Sequence, residues 1–266
     1  MRMSWMGVAF LAAATATGAD LAEVHSRGVL RIIVAADEAP ATFALKAGES
    51  PGFERELLEG FARLHELVVT PVVAPGYADR IPMLQRGDGD VVAAIFDTPD
   101  RRKLVDFTGE VMPTHNVVVT MEPRAEVRDI EELKTARVGV IKGAKPAEEA
   151  VQAGLPPSVL LPFERRDDLL AAMKDGSVAA AILPVSEMVV STKRYGALRA
   201  GVTVGARGKV AWAVRKEDTN LAAALNEYLL NVRRGPTWSR LVVKYFGDQA
   251  LAVLGRGDRE RAMVAP

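Results

Sequence analysis

Asp37, Asp97, Lys145 and Glu187 are the side chains in this 266-residue chain whose types suit acid, base or ion-pair work in a cleft. Arg101 brings a different chemistry. It sits in the run Thr98-Pro99-Asp100-Arg101-Arg102-Lys103, and a guanidinium forks two hydrogen bonds onto the two oxygens of a carboxylate. Thr98 before Pro99 reads as a helix cap followed by a first-turn proline, a local start that would hold Arg101 in place. Arg102 and Lys103 adjoin it, as they also would at a solvated helix start. What is missing narrows the chemistry further. His25, His65 and His115 lie far apart and make no metal-spaced pair, and no hydrolase elbow or phosphate-cradling glycine loop occurs. There is no cysteine, which removes disulfides, thiol catalysis, thiolate metal sites and lipid attachment through an N-terminal Cys. These residues point to recognition rather than catalysis, and no cofactor or metal is expected.

The composition sets the scale on which such a site would act. Lys plus Arg and Asp plus Glu each number 34, so the formal net charge is zero. No whole-surface field then favours nucleic acid or acidic lipid, and a charged ligand must be caught by a few placed residues. A hydrophobic content of 49% supports one large domain or two small cores. The first nineteen residues read as a secretory signal peptide. Arg2 precedes the apolar run Trp5 to Ala14, and small residues follow, with cleavage after Ala16 or Ala19. The run is too short to span a bilayer comfortably. The mature chain is expected in the periplasm as a soluble monomer that is not a lipoprotein.

The elements that must position these residues come from periodicity. Val29 to Val34 is a β-branched run, and Glu54 to Leu64 places Leu57, Leu58, Phe61 and Leu64 at helical spacing. Strands follow at Val68 to Val73, Val91 to Ile95, Asn116 to Thr120 and Val138 to Ile141, with a helix at Ala78 to Leu84. Helices near 146–153, 166–174 and 185–194 precede a strand at Lys209 to Val214 and helices near 219–232 and 236–246. This alternation argues an α/β fold with largely parallel sheets. The residues after Gly247 read as a frayed tail.

In this order the chain resembles the bacterial extracellular solute-binding proteins of family 3, the polar amino-acid type. The resemblance rests on Gly28-Val29-Leu30-Arg31-Ile32, Pro51 to Leu58, Ile81 to Gly87, Thr98 to Thr108, Arg137 to Gly143 and Tyr245-Phe246-Gly247. It implies the type II periplasmic-binding-protein fold, with two α/β lobes joined by two crossover strands near His115 to Thr120 and Gly208 to Ala213. Lobe 1 would comprise 20–115 and 209–250, lobe 2 116–208, and the tail 251–266. The same resemblance implies that Arg101 clamps a ligand carboxylate, that Asp37 lies near its amino group and that Tyr77 walls the ligand. Asp37 could equally pair with Arg101 or cap a turn, and Tyr77 could equally pack in the core. Departures from the family's pattern are also present. Phe96-Asp97 replaces a small hydroxyl residue, Lys145 lies in a Gly143-Ala144-Lys145-Pro146 turn in place of a Gly-Thr-Thr turn, and Pro184 replaces the acid that holds an amino group. Glu187, a turn later, is a substitute for that acid. The ligand then extends beyond free α-amino acids to other carboxylates, peptides or cell-wall fragments.

A closer likeness is to the binding-protein-like part of membrane-bound lytic transglycosylases, through Phe53 to Leu58, Ala211 to Lys216 and Lys244 to Gly247. Those enzymes continue into a catalytic domain, and with the chain ending at Pro266 no peptidoglycan cleavage is expected. The expectation is a binding protein that closes over its ligand and serves the membrane subunits of an ABC transporter. The alternatives are a sensor or accessory subunit related to cell-wall lytic enzymes, and a dehydratase on the same scaffold.

Overall fold

The structure, a computed structural model, describes residues 20–46, 48–247 and 250. The expected signal peptide and the expected tail lie outside these residues. The first strands are β1 (Val29–Ala35), β2 (Val68–Ala74) and β3 (Val91–Phe96), each within a residue of the run its β-branched residues mark. Helix α1 (Leu21–Arg27) precedes β1, and α2 (Pro40–Phe43), α3 (Phe53–Leu64) and α4 (Arg80–Gln85) fill the connections. After β3 come α5 (Pro99–Arg102), β4 (Asp106–Phe107) and the long strand β5 (Met112–Met121). The chain then forms β6 (Val138–Ile141), α6 (Lys145–Gln152), β7 (Leu160–Phe163), α7 (Arg166–Lys174), β8 (Ala180–Pro184) and α8 (Val185–Tyr195). Strand β9 (Leu198–Val214) leads back to α9 (Thr219–Arg234) and α10 (Pro236–Phe246).

One continuous sheet runs β2-β1-β3-β9-β5-β8-β6-β7, with β4 also paired to β9. Pairings among β1, β2 and β3 are parallel, as are those among β6, β7 and β8. The middle is different. β5 carries the chain into the second half and β9 brings it back, so the two run antiparallel to each other and to their neighbours β8 and β3. The expectation of a largely parallel sheet therefore holds within each half only. Both edge strands carry a proline, Pro71 in β2 and Pro162 in β7, which removes a donor from each open edge and discourages pairing with other chains.

Strand β9 begins eleven residues before the expected Lys209, and the reason is its glycines. A Cβ on Gly201 would lie 2.2 Å from the Val127 carbonyl oxygen, and Gly205 (φ +73°) lies against the Glu149 carboxylate. Glycine admits both approaches, but it also breaks the alternation by which a strand is recognised. β7 and β8 have no counterpart in the sequence reading, because Pro162 interrupts the first and β8 is buried throughout, without alternation.

The core of the first half joins both ends of the chain. Leu57, Leu58 and Phe61 of α3 are fully buried, whereas Leu64, on the expected stripe, is 73% exposed at the helix end. The Phe53 ring packs 5.7 Å from Phe246 of α10, centroid to centroid. The Asp20 carboxylate accepts the Leu21 N–H at 2.8 Å and the Asn220 and Leu221 N–H groups at 3.1 Å, so one side chain caps α1 and α9 together. No helix of the described residues is long and apolar enough to cross a membrane.

Candidate functional site

Where the two halves of the sheet meet, a cavity of about 30 Å³ is walled by Tyr77, Phe96 and Arg101 from one side and by Lys145, Pro184 and Glu187 from the other. Six of the eight residues singled out in the sequence therefore share one cavity. The volume holds little more than water.

Arg101 is delivered by local sequence. Thr98 Oγ1 accepts the Arg101 N–H at 3.3 Å and Pro99 opens the helix, as the Thr-Pro start predicts. The Arg101 side chain donates from Nη1 to the Phe96 carbonyl at 3.0 Å. No carboxylate pairs with it among the described residues. Burial, and the nearby Arg80 charge, push its pKa down to about 10, so it stays cationic at neutral pH while poorly hydrated. A desolvated cation without a counterion favours an incoming anion.

The floor beneath it is braced by a buried polar network. Ala94 has a left-handed backbone (φ +51°) at a bulge where the β3–β9 register shifts between Val92 and Ile95. Its N–H donates to Glu54 Oε2 at 2.8 Å, and Trp212 Nε1 donates to the same oxygen at 2.9 Å. From the other side, Arg80 Nη1 donates to the Ala93 and Ala94 carbonyls at 3.0 and 2.9 Å, and its guanidinium lies 4.8 Å from the Tyr77 ring centroid. Left-handed alanine costs roughly 1–2 kcal/mol, so it persists only where its surroundings hold it.

Two of the residues singled out stand elsewhere. Asp97 turns away from the cavity because Arg102 takes both of its oxygens at 2.6 Å and Lys209 approaches at 3.1 Å. Those hydrogen bonds outweigh burial and hold its carboxyl below the usual range. Asp37 crosses the seam instead of lining the cavity, and its Oδ2 accepts the N–H of Arg166, the first residue of α7. Arg165, the N-cap residue of that helix, makes no side-chain cap, so Asp37 caps α7 from the other half. Lys145 borders the cavity with its Nζ 3.2 Å from Glu148 and 4.0 Å from Glu149. Glu149 in turn accepts a 2.6 Å bond from Asn116, buried in β5.

Glu38, Glu54, Arg80, Ala94 and Arg166 are not among the site residues singled out in the sequence. Two of them carry a recognisable signal, for Glu54 and Arg166 each head an apolar stripe at helical spacing. The stripes are Glu54-Leu57-Leu58-Phe61 and Arg166-Leu169-Leu170-Met173, and both charged residues are buried with the rest.

Burial raises the Glu38 carboxyl to about 8, assisted by the Glu187 charge, and raises Glu54 to about 7 against its hydrogen bonds from Ala94 and Trp212. A carboxyl whose folded pKa lies above its unfolded value near 4.5 binds the proton more tightly when folded. Its stabilisation is present at low pH and is lost as pH rises through about 4.5 to 8. Urea denaturation should therefore show stability falling by a few kcal/mol between about pH 5 and about pH 8, and Glu38→Gln should flatten that fall. Equal pH slopes for the two proteins would remove Glu38 from this account.

A family model described as bacterial extracellular solute-binding proteins, family 3, matches residues 30–248. Among curated proteins, the membrane-bound lytic murein transglycosylase F of Stutzerimonas stutzeri is 27% identical over 238 residues, which cover 86% of this chain and 48% of the relative. The chain thus spans about half the length of the curated relatives it matches. Among solved structures, a mutant of ArgBP from T. maritima superposes with a TM-score of 0.77 at 22% identity, covering 85% of this chain and 99% of that one. The substrate-binding protein of an amino acid ABC transporter superposes at 0.72 and 22% identity, covering 82% and 99%. At these identities the structural neighbours bear on the fold alone, a mixed α/β type II arrangement of two halves.

Proposed function

This chain belongs to the bacterial extracellular solute-binding proteins, family 3, and from that membership we propose that it captures a small carboxylate-bearing solute by closing two lobes over it. The lobes are 20–115 with 209–250, and 116–208, and the hinge is the antiparallel pair β5–β9. Export through the N-terminal signal peptide places the protein in the periplasm, where it presents its solute to an ABC transporter. The reading is one of binding without catalysis. It rests above all on Arg101, a half-buried guanidinium that borders the cavity and has no carboxylate partner among the described residues.

The test is a thermal-shift series on the full chain with amino acids, dicarboxylates and muropeptides, paired with small-angle scattering. A ligand that binds only the folded state raises the melting temperature by mass action, and closure around it reduces the radius of gyration. Silence across every carboxylate, with an unchanged scattering curve, sinks the proposal. The transglycosylase relative favours one second reading, an accessory subunit that senses cell-wall fragments. A response confined to the muropeptides would select it.

A further inference from the structure

Four charged side chains line the cavity, Arg80, Arg101, Lys145 and Glu187, so bases outnumber acids three to one. Lys145 is answered by Glu148, 3.2 Å away. Arg80 and Arg101 have no such partner. Neither guanidinium forms an ion pair among the described residues, and Glu187 forms none with either of them.

The backbone limits how far apart the two guanidiniums are anchored. Arg80 Nη1 donates to the Ala93 and Ala94 carbonyls at 3.0 and 2.9 Å, and Arg101 Nη1 donates to the Phe96 carbonyl at 3.0 Å. Ala94 and Phe96 stand two residues apart on β3, a span of at most about 7 Å, and both line the same cavity. The Arg80 charge helps to push the Arg101 pKa down. Like charges held this close on one wall repel each other until an anion joins them.

Arg80 is only 2% exposed. Its hydrogen bonds occupy Nη1 and Nε, the latter donating to the Tyr77 carbonyl at 3.3 Å. Nη2 makes no hydrogen bond among the described residues. The acids that feel the Arg80 charge are Glu38, Glu54 and Glu187. Burial raises all three carboxyls, Glu38 to about 8 and Glu54 to about 7, so near neutrality they answer that charge only in part.

We propose that Arg80 is a second anion-binding residue of the cleft, so that the solute is a small dianion with one carboxylate on Arg101 and the other on Arg80. This deepens the reading above, in which the lobes close over a carboxylate, and rests on it.

The test is calorimetric titration of the full chain with matched pairs in which an amide replaces one carboxylate: succinate and succinamate, glutarate and glutaramate, L-glutamate and L-glutamine. Each pair keeps its shape and differs by one charge. In the wild-type protein the diacid of the responding pair should bind at least about tenfold tighter than its amide. Arg80→Gln should bring that ratio within about threefold. Loss of a purely structural brace would instead weaken both members alike and leave the ratio as it was. Where Arg80→Gln fails to fold, a crystal structure of the wild-type protein with the tightest diacid decides. It should place a carboxylate oxygen within about 3.2 Å of the Arg80 guanidinium. An amide that binds as tightly as its diacid overturns the proposal. So does a folded Arg80→Gln with an unchanged ratio, or a bound diacid whose second carboxylate sits away from Arg80. If Arg101→Ala abolishes binding while the pairs show no charge preference, the cleft reading stands and this specificity falls. If no acid of any pair binds, this specificity falls, and the cleft reading falls with it when the thermal-shift series is silent too.

Discussion

Replacing Arg101 by alanine should weaken carboxylate binding by about a hundredfold or more, because two charge-assisted hydrogen bonds worth roughly 1.5–3 kcal/mol each are lost together. The folded state should hardly notice. Arg101 gives one side-chain hydrogen bond, to the Phe96 carbonyl, and is partly desolvated without a counterion among the described residues, so removing it relieves an uncompensated charge. Arg101→Lys keeps the charge but loses the planar fork, and its affinity should fall between those of the other two proteins. Calorimetry and thermal melting on the three proteins measure both sides of the expectation. An alanine variant that binds within about threefold of wild type would remove Arg101 from the site. A large drop in melting temperature would instead make it a structural residue.

The second large effect concerns stability. Glu54→Ala should cost about 3–5 kcal/mol, since it strands the buried Ala94 N–H and the Trp212 indole N–H together. Glu54→Gln retains an acceptor of the same shape, and should cost no more than about 2 kcal/mol. The contrast is informative because burial raises the Glu54 carboxyl to about 7, so near neutrality a substantial share of the molecules carry it uncharged. Chemical denaturation of both variants tests this. If glutamine proves as damaging as alanine, the charge matters rather than the acceptor. If alanine costs under about 1 kcal/mol, the left-handed Ala94 does not depend on this brace.

The two effects connect fold to site. Glu54 and Arg80 hold opposite sides of the peptide at Ala94, and β3 continues from there to Phe96, whose carbonyl receives Arg101. A protein that loses the brace would thus misplace its carboxylate clamp without any change at Arg101 itself.

Local patterns in the sequence determined the elements and their order. The β-branched runs at Val29 and Val138 specify strands, and the stripe at Leu57, Leu58 and Phe61 specifies a helix through its 3.6-residue period. Thr98-Pro99 specifies the helix start that carries Arg101, because a cap acts within three residues. The tertiary structure alone decided which charges are compensated. Asp37 meets Arg166 129 positions away, and Glu54 meets Trp212 158 positions away. Asp97 goes to Arg102 and Lys209 rather than to the cavity. The full length of β9 likewise depended on its glycines finding Val127 and Glu149 across the fold. Backbone periodicity is local, and so it is readable along the chain. The partner of a buried charge is set by which distant surfaces pack together, and no spacing in the sequence encodes it.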